Sequence, residues 1–173
     1  MMMAACAQLH HSLRTCLRSP LERYVCGMPK EIMQSNTTWN VLLVEDNAGD
    51  VNLIRMCAER FAGVVVHHVP NAVQAHRFLL QQHPFEQAPT PDLVLLDLHM
   101  PVFDGAMVLE SMREWFQFRS TPVVVFTSSA LLSDRVRCKE LGANDYVNKP
   151  ADWVAWQAKV RLILAAHLNG FPA

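Results

Sequence analysis

Short apolar runs alternate with segments of helical spacing from residue 39 onward. Five runs, several of them β-branched, are typical of buried strands: NVLLV (40–44), GVVVHHV (63–69), LVLLD (93–97), TPVVVFT (121–127) and DYVN (145–148). Five other segments place apolar residues three or four positions apart and predict helices: GDVNLIRMCAERF (49–61), NAVQAHRFLLQQ (71–82), GAMVLESMREWF (105–116), LLSDRVRCKELG (131–142) and ADWVAWQAKVRLILAAHL (151–168). Strand and helix therefore alternate five times.

This alternation predicts an α/β fold, a doubly wound parallel sheet with helices on both faces and right-handed crossovers. Asp50 and Asn71 are predicted N-caps, and Gly142 a helix end. In the last helix Val154, Val160 and residues 162–164 are expected to face the sheet. We expect one domain over residues 39–168 and a short tail over 169–173.

The first 38 residues differ from the rest because they have no sustained helical or strand period. They carry four basic and two acidic residues and lack the continuous apolar segment of a secretory signal. We predict a disordered extension, or translated sequence upstream of a start at Met28 or Met33. An organelle transit peptide is the alternative.

Composition narrows the class of protein. The net charge is −1 and no apolar run approaches the roughly 20 residues of a membrane span, so neither nucleic acid nor a membrane is an expected partner. The five cysteines form no C-x-x-C pair or zinc-like cluster. They predict reduced thiols and a cytoplasmic location.

Chemically versatile residues follow the predicted strands. In parallel α/β sheets ligands bind at the carboxyl ends of the strands. Four of the predicted strands end in residues of this kind. The first ends in Glu45-Asp46, the third in Asp97, the fourth in Thr127-Ser128 and the fifth in Asn148-Lys149-Pro150. We therefore expect three carboxylates, a hydroxyl and an ammonium at one edge of the sheet.

Three adjacent carboxylates repel each other unless a cation compensates, and hard oxygen ligands suit Mg²⁺. A carboxylate beside that cation and a lysine can attack a phosphoryl group and form an aspartyl phosphate. Each of these residues, taken singly, also has a structural explanation. Their occurrence together, each at the end of a predicted strand, favours a phosphoryl-accepting site. The His99 imidazole is not expected to be a metal ligand, and the pair His67-His68 is interpreted as structural.

Residues 40–167 resemble the receiver domain of bacterial two-component response regulators. The motifs that carry the resemblance are LLVEDN, DLHMPVFDG, VVVFTSS and GANDYVNKP. The resemblance implies a flavodoxin-like five-stranded sheet of order 2-1-3-4-5 and an Asp97 that accepts phosphate from a kinase phosphohistidine. It also implies that Asp46, Asp97 and the backbone carbonyl of His99 bind Mg²⁺, with Glu45 acting largely through water.

The same resemblance assigns further roles. Lys149 contacts the phosphoryl group, the Lys149-Pro150 peptide bond is cis, and Thr127 and Tyr146 form a switch pair. The surface that changes is formed by the fourth helix, fifth strand and fifth helix, where a downstream protein binds. His99 and Ser129 influence the lifetime of the phosphorylated state.

The long connections before the third and fourth strands resemble those of small stand-alone regulators that serve phytochrome-type histidine kinases. A phosphotransfer protein is the alternative phosphate donor, and homodimerisation stays open. Three other functions are alternatives: a Mg²⁺-dependent phosphatase of the haloacid-dehalogenase type, a flavin- or nucleotide-binding module, and a degenerate receiver used as a scaffold. The nucleotide-binding module is disfavoured because Glu45-Asp46 would repel a phosphate. The phosphatase normally needs a second acid two residues after the nucleophile, where this chain has His99.

Overall fold

The computed structural model describes residues 37–100 and 104–171. The predictions for residues 1–36 fall outside this part of the chain. The strands are β1 (Trp39–Val44), β2 (Val64–Val69), β3 (Leu93–Leu96), β4 (Val123–Thr127) and β5 (Asp145–Asn148). The helices are α1 (Ala48–Ala58), α2 (Ala72–Leu79), α3 (Ala106–Glu114), α4 (Leu132–Glu140) and α5 (Trp153–His167), with a 3₁₀ turn at Phe116–Phe118.

The five strands form one parallel sheet of order β2-β1-β3-β4-β5, as predicted. Successive strand residues point to opposite faces, and both faces are covered. Val41, Leu43 and Phe126 belong to the core against α1 and α5. Leu42 and Val125 belong to the core against α2, α3 and α4.

The N-cap of α1 is Asn47 and not Asp50 as predicted. Asn47 has an extended backbone (φ −82°, ψ 109°), and its side-chain oxygen accepts hydrogen bonds from the N–H groups of Gly49 and Asp50. Asp50 therefore lies in the first turn of the helix, and its carboxylate is available for another contact. The predicted cap of α2, Asn71, is confirmed, because it accepts from the N–H of Gln74 at 2.9 Å.

The orientation of α5 was predicted only in part. Val160, Ile163 and Leu164 are buried as expected, together with Trp156. Val154 and Leu162, however, are 73% and 64% exposed. Positions 156, 160, 163 and 164 share one helical face, so Val154 and Leu162 lie outside the stripe that faces the sheet.

The described residues contain one cis peptide bond, at His83-Pro84. The Lys149-Pro150 bond is not cis, contrary to the prediction. Trans is the intrinsically preferred isomer of such bonds by about 0.5–1 kcal/mol. With this geometry the Lys149 side chain already reaches the carboxylates of Glu45 and Asp97.

The predicted tail packs onto the domain as far as Phe171. The Phe171 ring is buried and makes edge contacts with Trp39 and Phe61, with ring centroids 5.4 Å and 5.3 Å apart. The Trp39 indole N–H donates to the carbonyl of Asn169 at 3.1 Å. Within the described parts of the chain, no helix combines the length and hydropathy needed to cross a membrane.

Arg113, near the end of α3, links the two connections that precede β4 and β5 at the amino end of the sheet. Its guanidinium donates to the carbonyls of Gly142 (3.0 Å) and Thr121 (3.1 Å) and to the side-chain oxygen of Asn144 (2.9 Å). Asn144 in turn accepts from the N–H of Val123 at the start of β4. One side chain therefore supplies donors to carbonyls in the approaches to both β4 and β5.

Replacing Arg113 with alanine is expected to lower the free energy of unfolding by about 2–4 kcal/mol, because several carbonyl acceptors lose their donor together. Urea denaturation followed by circular dichroism measures this. Arg161→Ala, at an exposed position of α5, is the matched control and should change stability by no more than about 0.5 kcal/mol. Equal effects of the two substitutions would contradict a structural role for Arg113.

Candidate functional site

The sheet register brings the predicted site residues to one edge. Val44 at the end of β1 pairs with Leu96 at the end of β3, so Glu45 and Asp97 follow on adjacent strands. Thr127 at the end of β4 pairs with Asn148 at the end of β5, and Lys149 follows. Because the parallel strands end at the same edge of the sheet, residues that are up to 104 positions apart in the chain lie side by side.

The Lys149 ammonium lies at the centre of this group. Its Nζ is 2.6 Å from a carboxylate oxygen of Asp97, 2.7 Å from Glu45 and 2.9 Å from Asp50. The exposed fractions of the side chains are 8% for Lys149, 1% for Glu45 and 6% for Asp97, against 22% for Asp50. Because buried charges are costly unless paired, these contacts are a condition for keeping the charged groups inside the protein.

The two buried carboxylates differ in proton affinity. Burial raises the pKa of Glu45 from its ordinary 4.5 to about 7; the Asp97 charge adds to this, and Lys149 opposes it. Burial also disfavours ionised Asp97, but Lys149, the Thr127 hydroxyl and the His99 N–H together lower its pKa. Desolvation works against the Lys149 ammonium, yet its three carboxylate partners outweigh desolvation and raise the pKa. Lys149 and Asp97 are therefore the firmly charged pair.

Backbone contacts hold Glu45 in place. One of its carboxylate oxygens accepts from the N–H of Asn47 at 3.1 Å, and its carbonyl lies 2.8 Å from Nε2 of His68. His67 Nε2 lies 3.0 Å from the side-chain oxygen of Asn40. The adjacent histidines thus make structural contacts at the edge of the sheet, in agreement with the interpretation from sequence.

The acidic group has the chemistry of a divalent cation site. One carboxylate oxygen from each of Glu45, Asp46 and Asp97 lies within 4.8 Å of the others, and Asp46 is exposed. Hard oxygen donors with access to water fit Mg²⁺ or a similar ion. The His99 imidazole is directed elsewhere, with its Nε2 3.8 Å from a carboxylate oxygen of Asp134.

Thr127 and Tyr146 lie on either side of the β4–α4 connection. The Thr127 hydroxyl is fully buried, and its oxygen accepts from the N–H of Ser129 at 3.3 Å. Tyr146 is buried, and its hydroxyl donates to the carbonyl of Ser129 at 3.0 Å. Asn148 also donates to that carbonyl. The Arg135 guanidinium lies 4.8 Å from the centre of the Tyr146 ring.

Two acids of this neighbourhood were not identified from the sequence. Asp134 on α4 accepts a hydrogen bond of 2.6 Å from the Ser129 hydroxyl, and no motif marks it. Asp50 is predicted above as a cap, although its position only four residues after Asp46 in the chain was a usable signal. It was not decisive, because only the fold brings Lys149 to the same place.

Comparisons with known proteins agree with this geometry. The sequence profile of the response regulator receiver domain matches residues 41–161. The chain is 34% identical over 119 residues to the response regulator Rcp1 of Synechocystis, covering 67% of this chain and 80% of Rcp1. It is 48% identical over 73 residues to the transcriptional activator IrlR of Burkholderia pseudomallei, covering 42% of this chain but only 31% of IrlR.

Solved structures agree with the sequence comparisons. The phosphorylated cyanobacterial phytochrome response regulator RcpA superimposes with a TM-score of 0.74 at 29% identity, covering 79% of this chain and all of RcpA. The Mn²⁺-bound form of Rcp1 gives a TM-score of 0.70 at 30% identity, covering 78% and 99% of the two chains. These two relatives have nearly the length of the matched domain.

The raised pKa of Glu45 predicts a pH-dependent stability in the metal-free protein. Between about pH 4.5 and 7 the folded carboxyl retains a proton that the unfolded one has lost, so the free energy of unfolding falls as pH rises over this range and levels off above about 7. In the wild type we expect this decrease in the free energy of unfolding to be about 1–3 kcal/mol, and we expect it to be absent in Glu45→Gln.

Urea denaturation at several pH values in the presence of a chelator measures the difference between the two proteins. Because glutamine does not titrate, the comparison cancels the contributions of the other ionisable groups. Identical pH profiles would mean that Lys149 keeps Glu45 ionised throughout this range.

Proposed function

The chain belongs to the response regulator receiver domain family, and on that premise we propose that it is a signalling switch phosphorylated on Asp97. The observation that carries the proposal is the buried Asp97 carboxylate, held 2.6 Å from Lys149 beside two further acids. Receiver domains of this family receive phosphate from histidine kinases. The chain's own chemistry is limited to accepting this phosphate and assisting its hydrolysis.

Asp97 acts as the nucleophile. One of its carboxylate oxygens forms a bond to phosphorus while the phosphorus–nitrogen bond of the donor phosphohistidine breaks, and the electron pair of that bond leaves with the imidazole. The Lys149 ammonium offsets negative charge on the phosphoryl oxygens as the bonds change. The lowered pKa of Asp97 keeps it ionised and ready to react at neutral pH.

The acidic group fits a magnesium ion. Glu45, Asp46, Asp97 and the backbone carbonyl of His99 would hold it, with Glu45 acting largely through water. Bound Mg²⁺ would neutralise part of the phosphoryl charge and draw the phosphoryl group toward Asp97. The proposal is supported by the convergence of three carboxylates and by the Mn²⁺-bound form of the related Rcp1.

Phosphorylation would be transmitted through Thr127 and Tyr146. A phosphoryl oxygen draws the Thr127 hydroxyl toward Asp97, which removes the acceptor of the Ser129 N–H. The β4–α4 connection then shifts, and the Tyr146 ring follows because its hydroxyl is bonded to the Ser129 carbonyl. The surface that changes is formed by α4, β5 and α5.

This surface has apolar positions suited to a downstream protein. Leu132 and Val136, one turn apart on α4, are both exposed, as is Val154 on α5. The upstream partner is a cytoplasmic histidine kinase of the phytochrome type, or a phosphotransfer protein. The assignment to a phytochrome-type kinase is supported by the structural similarity to RcpA, which extends over the whole of the RcpA chain.

Asp97→Asn is expected to abolish phosphorylation, because the neutral amide is a poor nucleophile and cannot form the acyl phosphate. Incubation with acetyl phosphate and Mg²⁺ followed by mass spectrometry would detect the added phosphoryl group. Asp92→Asn is the matched control, because Asp92 lies at the opposite end of the same strand and accepts a hydrogen bond from Asn40. Phosphorylation of Asp97→Asn at the wild-type level would refute the assignment.

Lys149→Ala is expected to separate phosphate binding from switching. Mg²⁺ should still bind, since its carboxylate ligands remain, but the phosphoryl group loses the cation that fixes its position. Amide NMR spectra before and after phosphorylation should change in the wild type at Tyr146 and along α4. In the variant the changes should stay near Asp97. Lys159→Ala, on the exposed face of α5, serves as the control. Wild-type changes in Lys149→Ala would exclude a switching role for this lysine.

A further inference from the structure

We propose that Asp50 is a positioning residue that holds the Lys149 ammonium in the pocket when metal and phosphate compete for its other two carboxylate partners. This inference rests on the proposed function, because it concerns the phosphorylated and metal-bound states of the same site. The juxtaposition that carries it is the 2.9 Å contact between Nζ of Lys149 and a carboxylate oxygen of Asp50.

The contacts of Lys149 match its hydrogen-bonding capacity. An ammonium group has three N–H donors and no acceptor. Its Nζ donates hydrogen bonds to Glu45 at 2.7 Å and Asp97 at 2.6 Å, and the third close partner, Asp50, forms an ion pair with it at 2.9 Å. A phosphoryl oxygen can therefore be contacted only when one of the carboxylates gives up its place.

Metal binding and phosphorylation change the contacts of Glu45 and Asp97 with Lys149 but leave Asp50 unchanged. Glu45 and Asp97 belong to the carboxylate group that fits a cation, whereas Asp50 does not. A bound metal would compete with Lys149 for Asp97 directly and for Glu45 through water, and phosphorylation converts the Asp97 carboxylate into an acyl phosphate. Asp50 is then the carboxylate that still accepts from Lys149.

The position of Asp50 does not depend on a ligand in the pocket. It lies in the first turn of α1, and its N–H donates to the capping side chain of Asn47. The Asn47 N–H is in turn bonded to the carboxylate of Glu45. A lysine side chain is long and flexible, so a fixed acceptor restricts where its charge can go.

An acid in the first turn also has an ordinary structural role. It interacts favourably with the positive end of the helix dipole, typically by 0.3–1 kcal/mol. This role predicts a loss of stability on substitution but no change at Lys149. The experiment therefore observes the lysine directly.

The chain has only four lysines, which makes nitrogen-15 lysine labelling practical. Lys149 is nearly inaccessible to water, so its ammonium protons should exchange slowly and give a visible signal, assigned by its loss in Lys149→Arg. We expect this signal in metal-free wild type and in metal-free Asp50→Ala, where Glu45 and Asp97 still accept. With Mg²⁺ and beryllofluoride, a phosphoryl mimic, wild type should keep the signal. In Asp50→Ala the mimic is the remaining partner of the ammonium, and faster proton exchange with water should remove the signal.

Kinetics provide a second readout. At saturating Mg²⁺, Asp50→Ala should be phosphorylated by acetyl phosphate roughly tenfold more slowly, because the ammonium is no longer held in a productive position. In a Lys149→Ala background the same substitution should not slow the reaction. If Asp50 acted only by repelling the anionic donor, its removal would speed the reaction in both backgrounds. Glu59→Ala, which removes an exposed acid at the other end of α1, is the matched control and should behave as wild type.

The outcomes separate this inference from the proposed function. Retention of the Lys149 signal in Asp50→Ala with Mg²⁺ and beryllofluoride, while Asp97 of the wild type is phosphorylated normally, overturns the role of Asp50 alone. Failure of the wild type to bind Mg²⁺ or to be phosphorylated on Asp97 overturns the proposed function, and the inference with it.

Discussion

The buried ammonium of Lys149 is the interaction on which the site depends. Glu45 and Asp97 are almost completely withdrawn from water, and two neighbouring carboxylates cannot both stay ionised there without a compensating cation. Lys149 supplies that charge and, with the Thr127 hydroxyl and the His99 N–H, keeps the pKa of Asp97 below its ordinary value. Burial raises the pKa of Glu45 to about 7, and Lys149 opposes this rise only in part. A reactive carboxylate and a more easily protonated neighbour therefore share one cationic partner.

The sheet supplies the precision that this pairing requires. Asp97 is fixed by the hydrogen bond from its N–H to the Val44 carbonyl at 3.0 Å, which continues the β1–β3 pairing into the site. Gly105 packs so closely behind it that an added Cβ would lie 2.1 Å from the Asp97 carbonyl oxygen. Any side chain at this position would displace the backbone that carries Asp97, so glycine is required by close approach rather than by its φ angle.

The same site is connected to a distant surface by short polar contacts. The Ser129 carbonyl accepts from both Tyr146 and Asn148, and the Ser129 hydroxyl donates to Asp134 on α4. Arg135, next to Asp134, lies over the Tyr146 ring. A displacement of the Ser129 backbone therefore acts on α4 and β5 together, which is the property that a two-state switch between pocket and surface requires.

The sequence by itself determined the five strands, the five helices, the sheet order through its family motifs, and the acids, hydroxyl and lysine at the strand ends. These depend on apolar periodicity and on the geometry of parallel sheets, both of which are local or topological. The tertiary structure alone decided the contacts made by particular side chains. Asp50 is a partner of Lys149 and not a cap, and Val154 and Leu162 face outward. The Lys149-Pro150 bond is not cis. The physical reason is that a charged partner far along the chain, or the exact angle at which a helix meets the sheet, leaves no periodic trace in the sequence.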